Sequence, residues 1–305
     1  MGVLETGLAA LNIAPLAVAE LAGDASRRRF FRVSLAGGAT VVAALYPATL
    51  VGQAERDHEV QVWGWRRGLP IPRPLGRNGV VVASQDVGGE DLDRAIAVRG
   101  ESVLDLALEA LGGFQSCDRR GLSTPPFDTA FFRRELGIFE DLALPAEVRE
   151  RREVSQFLDG LARSLAAHPY RLTHRDFHVN NLFLSEGKVW AVDYQDMRGG
   201  PDTYDLASLL RERGGAALAD TAGARARAAS RFGWAAGWEG RYTECAAQRG
   251  LKVIGTFLRL AHAGRADYLR WLPAVRERSL EALEALGAPE ALCGAVAGPS
   301  DEQGL

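Results

Sequence analysis

Leu172-Thr-His-Arg-Asp-Phe-His-Val-Asn-Asn-Leu-Phe-Leu184, followed by Val189-Trp-Ala-Val-Asp-Tyr-Gln-Asp196, is the stretch on which the reading of the whole chain turns. Arg171-Leu-Thr is a short run leading into a polar loop. Asn181-Leu-Phe-Leu184 and Lys188-Val-Trp-Ala-Val192 read as a hairpin turning at Ser185-Glu-Gly187, where glycine and polar residues punctuate the strands. Asp176 is followed five residues later by Asn181, and Asp193 follows the hairpin. An Asp and an Asn so spaced often arise as turn or cap residues. The strand–loop–hairpin context lifts this pair above that background.

Phosphoryl transfer from ATP in the protein-kinase manner needs three such oxygen-bearing groups. One carboxylate takes the hydroxyl proton, while an amide and a second carboxylate hold magnesium against the nucleotide phosphates. H-R-D-x-x-x-x-N, then a strand, then Asp reproduces that order. Asp176 is therefore the candidate base. Asn181 and Asp193 are the candidate ligands of Mg2+, a hard cation that takes oxygen donors and usually keeps several waters. ATP and Mg2+ are the expected cofactors. His174 and Arg175 position the loop, since a carboxylate already supplies the base.

The 305 residues suffice for one large domain or two lobes, and 47% hydrophobic with 25% charged content is that of a soluble globular chain. A net charge of −3 gives no reason to expect a nucleic-acid partner. Cys117, Cys245 and Cys293 are far apart, form no metal spacing and fit a reducing cytoplasm. The start, Met1-Gly-Val-Leu-Glu-Thr, has no basic segment before an apolar one, and no apolar run reaches membrane-spanning length. A cytoplasmic monomer acting on a small molecule, with no membrane or nucleic-acid partner, is the expectation. Lysine occurs only at Lys188 and Lys252 among 36 basic residues; a general arginine bias accounts for the surface.

Residues 4 to 20 read as a helix with interruptions near Pro15. Arg28–Leu35 and Ala39–Tyr46 are strand candidates joined by Ala36-Gly-Gly38. A charged amphipathic helix spans Gln53–Arg66, Leu69–Leu75 is extended by its prolines, and Gly79–Ser84 is a buried strand. Asp86–Leu92 reads as a hinge. The remainder is mostly helical: 102–117, 131–142, 147–166, 203–211, 217–232, 238–263 and 266–286, with a tail from Ala288 that frays. The fold class is α+β, with a nucleotide-binding lobe over 1–87 and a catalytic and substrate lobe over 88–305.

Three segments together, His174–Asn181, Val192-Asp193-Tyr-Gln-Asp196 and Gly200-Pro-Asp-Thr-Tyr-Asp-Leu-Ala-Ser-Leu-Leu210, resemble the aminoglycoside-phosphotransferase and choline-kinase-like small-molecule kinases. Gly23-Asp-Ala-Ser-Arg-Arg-Arg-Phe-Phe-Arg-Val33, the Asp193-Tyr-Gln-Asp196 step and Gln248-Arg-Gly-Leu-Lys-Val-Ile-Gly-Thr-Phe-Leu-Arg-Leu260 look most like the branch that phosphorylates N-acetylmuramate and N-acetylglucosamine at the anomeric carbon. The resemblance implies a bilobal protein-kinase-like fold. It also implies an ATP-dependent amino-sugar kinase of cell-wall recycling. The alternatives are a kinase for an aminoglycoside, choline or homoserine, or a nucleotide-binding pseudokinase. Gly223–Arg278 is rich in arginine, which suits an anionic acceptor better than a polycation.

Beside that resemblance, His178 is a candidate substrate contact or a plain loop residue. Asp196 is a candidate for sugar or metal, or a turn residue. Helical spacing puts Arg249, Lys252 and Thr256 on one stripe, with Arg249 and Lys252 expected to face the sugar. Asp205 precedes an apolar helical run as an N-cap would, and its counterpart in the resembled kinases braces the catalytic loop. Neither a glycine-rich kinase loop nor a P-loop is present. Gly23 and Ser26 in Ala22-Gly-Asp-Ala-Ser26 are instead the candidate phosphate contacts, with Gln85 a further candidate for nucleotide binding. Kinases carry a lysine on the third strand, paired to a helix Glu; Thr40–Tyr46 has no cation. Either the protein is inactive or another cation serves. Arg28 and Arg32 are the candidates, with Glu55 and Glu59 as possible helix partners.

Overall fold

The computed structural model describes residues 2–21, 27–100, 102–211 and 222–298. Gly23 and Ser26 lie outside the described residues, as does the start of the helix expected from Ala217.

Helix α1 (Val3–Ala10) ends early: Asn12 takes φ 58°, Pro15 follows, and the chain runs extended as β1 (Ala17–Leu21). The helix expected to reach residue 20 is therefore a helix and a strand. Periodicity alone cannot separate the two for a short apolar run. The deciding element is a distant partner, β2 (Arg29–Ser34), which pairs antiparallel with Val18 opposite Val33. Strand β3 (Thr40–Leu45) follows through the expected turn, with Gly37 and Gly38 at φ 78° and 82°, a region glycine enters without a Cβ penalty. Helix α2 (Val51–Trp65) leads to β4 (Pro74–Asn78) and β5 (Val81–Gln85), completing an antiparallel sheet of order β1-β2-β3-β5-β4.

The two faces of this sheet have different tasks, as the period of two requires. Phe31, Val33, Val41, Ala43 and Val81 pack with Leu8 of α1. Phe30, Arg32, Val42, Ala44, Val82 and Ser84 face a cavity of about 650 Å³.

The remainder is mainly helical. Strand β6 (Glu90–Asp91) leads into α3 (Leu92–Arg99), α4 (Ser102–Ser116), α5 (Thr129–Ala143), α6 (Ala146–Arg149) and α7 (Arg152–Ala166). The single helix expected over 147–166 is thus two. Strands β7 (Tyr170–Thr173), β8 (Leu182–Ser185), β9 (Lys188–Ala191) and β10 (Arg198–Pro201) follow. Strand β8 pairs with β9 as the expected hairpin, and β10 folds back on β7. Glu186 and Gly187, both at positive φ, make its two-residue turn. Helices α8 (Tyr204–Arg211), α9 (Ala222–Phe232), α10 (Trp238–His262), α11 (Leu272–Ala285) and α12 (Glu290–Ala297) complete the described chain. A 3-10 turn over Ala266–Trp271 opens what was expected to be one helix to 286, with Pro273 in the first turn of α11. The expected frayed tail instead contains α12, because Leu292 and Val296, four residues apart, bury one face of it. No described helix is long and apolar enough to cross a membrane.

Helix α10 is the long strut of this region, and its approach to α5 needs a glycine. A Cβ on Gly255 would stand 2.8 Å from the backbone nitrogen of Phe139 and 2.9 Å from its Cα. Backbone cannot rotate away, so Gly255→Ala should push the helices apart and cost roughly 1–3 kcal/mol, the usual range for overpacking. A lowered urea midpoint at unchanged slope checks this; a midpoint equal to wild type would show that the helices separate freely.

Candidate active site

The loop after β7 is shaped by its backbone. The buried carboxylate of Asp205, in the first turn of α8, accepts the N–H of His174 at 2.6 Å and of Arg175 at 2.9 Å. Burial pushes this carboxyl up, to about 7, while the two N–H donors favour its charged form. His174 is itself buried, edge-on to Phe114 at 5.5 Å and near Phe177 at 5.8 Å. Burial lowers its pKa to about 4, so the ring is neutral at neutral pH. Its place is in the core beneath the loop.

Arg175 takes φ 82°, a costly conformation for a residue with a side chain, kept only where the surroundings over-determine it. Here they do. Its guanidinium pairs with Glu135 at 3.0 Å and Asp196 at 2.8 Å. Its carbonyl accepts a short hydrogen bond from Arg249. Gln248 of α10 donates to the other Glu135 oxygen at 2.9 Å. The left-handed step turns the next side chain, Asp176, into the cavity.

Asp176 meets Lys252 Nζ at 2.9 Å and Arg249 at 3.5 Å. Burial would raise its carboxyl, but Lys252, Arg175 and Arg249 hold it well below the usual carboxylate range. Asn181 donates to the Asp176 carbonyl at 3.0 Å, which fixes its amide and leaves its oxygen as a donor to a metal. Asp193 leaves the hairpin at φ 62°. Its Oδ1 accepts from Arg28 at 2.7 Å and from Gln195 at 2.8 Å. The contacts to Asp193 engage one oxygen, so Oδ2 and the Asn181 oxygen form a two-residue, all-oxygen donor set on one cavity. This fits a hard cation that shares its remaining positions with water and phosphate. Among the described residues no group of three or more His, Cys, Asp and Glu could hold a metal, and a site of this kind needs none.

The cavity face of β3 carries Val42 and Ala44 where a lysine would stand. Arg28, just before β2, lines the same cavity from the neighbouring strand. Besides Asp193 it approaches Asp57 of α2 at 3.5 Å, and the Tyr46 hydroxyl donates to the same Asp57 oxygen at 2.7 Å. Arg32 also lines the cavity, but it grips Asp86 at the hinge through two bonds of 2.6 and 3.2 Å. Gln85 lines the cavity, and its side-chain oxygen accepts Arg73 N–H at 3.3 Å. Of the expected helix partners, Glu55 pairs with Arg77 at 2.8 Å and Glu59 is exposed. The carboxylate of α2 that reaches Arg28 is Asp57.

On the helical side, His178 is buried and lines the cavity beside Asn181, 3.4 Å away. Asp196 also lines it, tied to Arg175 and, at 3.4 Å, to Arg198. Lys252, Thr256 and Arg259 present one face of α10 to the cavity. Arg249, expected among the sugar contacts, instead lies buried under the loop with its guanidinium 4.6 Å from the Tyr204 ring centre. One helical turn separates it from the cavity stripe. Asp57, Tyr46 and Glu135 had no role in the reading of the sequence, and Gln248 and Arg259 stood there only as members of longer stretches. Asp57 carried a legible signal: it shares the buried face of α2 with Ala54, Gln61 and Gly64, where an unpaired acid is out of place.

The family model described as "Phosphotransferase enzyme family" matches residues 17–241. The chain is 31% identical over 288 residues to the N-acetylmuramate/N-acetylglucosamine kinase of Pseudomonas aeruginosa, an alignment covering 86% of this chain and 82% of that protein. Among solved structures it is similar to a choline/ethanolamine kinase family protein from Mesorhizobium loti, with TM-score 0.61, 18% identity and 92% of both chains covered. It is also similar to an aminoglycoside phosphotransferase from Streptomyces rimosus in complex with ADP and streptomycin, with TM-score 0.57, 17% identity, and 80% and 96% covered. These two likenesses establish a protein-kinase-like fold.

Asp205→Ala strands two buried N–H groups. At about 1–3 kcal/mol for each unsatisfied donor, the variant should lose roughly 2–6 kcal/mol in denaturant unfolding. Wild-type stability in this variant would mean that the loop finds other acceptors.

Proposed function

The chain belongs to the phosphotransferase enzyme family, and from that premise we propose that it transfers the γ-phosphoryl group of ATP to the anomeric hydroxyl of an N-acetylated amino sugar. N-acetylmuramate and N-acetylglucosamine are the assigned acceptors, as the name of the Pseudomonas relative suggests, and recovery of cell-wall sugar is the assigned context. The observation that carries the proposal is Asp176, aimed into the cavity by Arg175 and held 2.9 Å from Lys252, with Asn181 and Asp193 on the same wall.

In the proposed reaction Asp176 accepts a hydrogen bond from the sugar hydroxyl and orients its oxygen toward the γ-phosphorus. The new O–P bond forms as the bond to the β-phosphate oxygen breaks. ADP leaves, and the hydroxyl proton passes to Asp176. A carboxylate held this low is a weak base. That is tolerable because phosphoryl transfer passes through a loose transition state in which positioning and charge dominate. It also favours an acidic acceptor, and a hemiacetal hydroxyl is the most acidic on a sugar. Lys252 and Arg259 on the acceptor wall disfavour a polycationic substrate. Magnesium, when bound with the nucleotide, supplies charge neutralisation at the phosphates, and we assign Asn181 and Asp193 to it. Arg28 takes the role of the absent strand lysine, with Asp57 as its helix carboxylate and a guanidinium fork suited to phosphate.

The direct test is ATP consumption across amino sugars, aminoglycosides and choline, with phosphorus NMR of the product. A phosphate coupled to the anomeric proton of an amino sugar is expected; turnover only with aminoglycoside or choline would overturn the assignment. Asp176→Asn keeps the shape and removes the base, so turnover should fall roughly a hundredfold or more while calorimetry still detects Mg-ATP binding.

Arg28→Gln should lower kcat/KM for ATP by about tenfold or more, the scale of a lost charge-assisted pair. Arg32→Gln, which breaks the Asp86 clasp, should cost less. A larger loss from Arg32→Gln would move the phosphate contact to that strand position.

A further inference from the structure

Five cationic side chains line the cavity: Arg28, Arg32, Arg175, Lys252 and Arg259. Four of them are committed. Arg28 pairs with Asp193 and Asp57, Arg32 with Asp86, Arg175 with Glu135 and Asp196, and Lys252 with Asp176. Arg259 forms no ion pair among the described residues, in a chain where most cavity charge is neutralised in place. We propose that Arg259 binds a carboxylate on the acceptor, so that the enzyme prefers an anionic amino sugar to a neutral one; this rests on the amino-sugar reading above.

The geometry fits that task. Arg259 follows Lys252 by seven residues, and two full helical turns return it to the same face of α10. The two positions are about 10 Å apart along the axis at 1.5 Å per residue. Lys252 marks the reacting hydroxyl, because it touches Asp176. Arg259 therefore marks a point displaced from the reacting carbon by about the span of a sugar ring with its substituent. N-acetylmuramate and N-acetylglucosamine differ by one group: a lactyl ether, ending in a carboxylate, on the carbon two places round the ring from the anomeric one. Between the two cations stands Thr256, whose hydroxyl donates to the Lys252 carbonyl at 2.9 Å and keeps its lone pairs for an acceptor N–H or O–H. The cavity wall also holds Asp57, Asp86, Asp176, Asp193 and Asp196. A substrate carboxylate entering among five acids needs a cation that none of them already occupies, and a planar guanidinium binds carboxylate through two parallel bonds.

The competing account is that Arg259, in the last turn of α10, serves the negative end of the helix dipole. Arg259→Lys separates the two, since it keeps the charge at the helix end and loses the fork. Arg259 is exposed, so neither substitution disturbs the core.

The experiment compares kcat/KM for N-acetylmuramate and for N-acetylglucosamine in the wild-type enzyme, Arg259→Gln and Arg259→Lys. The ratio of the two should fall by about tenfold in Arg259→Gln, the loss expected for one charge-assisted pair, through the KM for N-acetylmuramate. Arg259→Lys should recover part of it. A ratio within twofold of wild type would overturn the proposal, whether both sugars lose activity together or neither does, and would leave amino-sugar phosphorylation standing. Turnover of neither sugar by the wild-type enzyme would overturn both readings.

Discussion

The clasp of Asp205 on the backbone N–H groups of His174 and Arg175 is the interaction on which the cavity chemistry depends. It holds two successive amides of an irregular loop in a buried place, where unsatisfied donors are expensive. With those amides fixed, Arg175 can remain in the left-handed region, and Asp176 can point into the cavity. The strain at Arg175 is offset by four partners around one residue, Asp205, Glu135, Asp196 and Arg249, with Gln248 holding Glu135 in turn. They come from α5, α8, α10 and the segment after β9. The loop is thus locked by the packing of the helical region, and the helix crossing at Gly255 belongs to the same lock.

A second constraint joins the sheet to this frame. Arg28 and Asp193 are 165 residues apart in sequence and 2.7 Å apart in space. A largely buried guanidinium must find partners, and here it finds two carboxylates of different origin, Asp57 from α2 and Asp193 from the hairpin. The cation therefore lies between the sheet, its helix and the oxygen donors suited to magnesium. A strand lysine does this from β3 in protein kinases. In this chain the cavity face of β3 carries Val42 and Ala44, and the cation on the same cavity is Arg28, just before β2.

The charges around Asp176 show a balance between basicity and placement. Lys252, Arg175 and Arg249 keep it ionised at any ordinary pH, at the cost of proton affinity. Such an arrangement suits a reaction in which nucleophile position matters more than early proton removal. Along α10 the same helix face runs from Lys252, which addresses the carboxylate, to Arg259, which faces the cavity with no ion-pair partner among the described residues.

Much of this was written locally. Asp176, Asn181 and Asp193 stood out because a tight loop and a two-residue hairpin fix their spacing within some twenty residues, and Glu186-Gly187 is a turn that only a few residue types can make. The alternation of β2 and β3, the amphipathic α2 and the Lys252 stripe were legible for the same reason: period two and period 3.6 depend on neighbours in sequence. Other features had no local cause. Residues 17–21 became a strand because β2 offered a free edge, and the chain after Ala288 became a helix because Leu292 and Val296 found a surface to cover. Arg28 and Arg32 are equivalent by alternation. Only the position of the sheet over Asp193 made Arg28 the central cation, while Asp86 drew Arg32 away. Likewise Arg249 and Lys252 share a helical stripe, and a single turn of rotation against α8 sent one beneath the loop and the other into the cavity. The sequence by itself determined which groups are the candidates for the chemistry, through short-range spacing. The tertiary structure decided which charge meets which, because an ion pair is a matter of a few ångströms between elements that the chain brings together only when it folds.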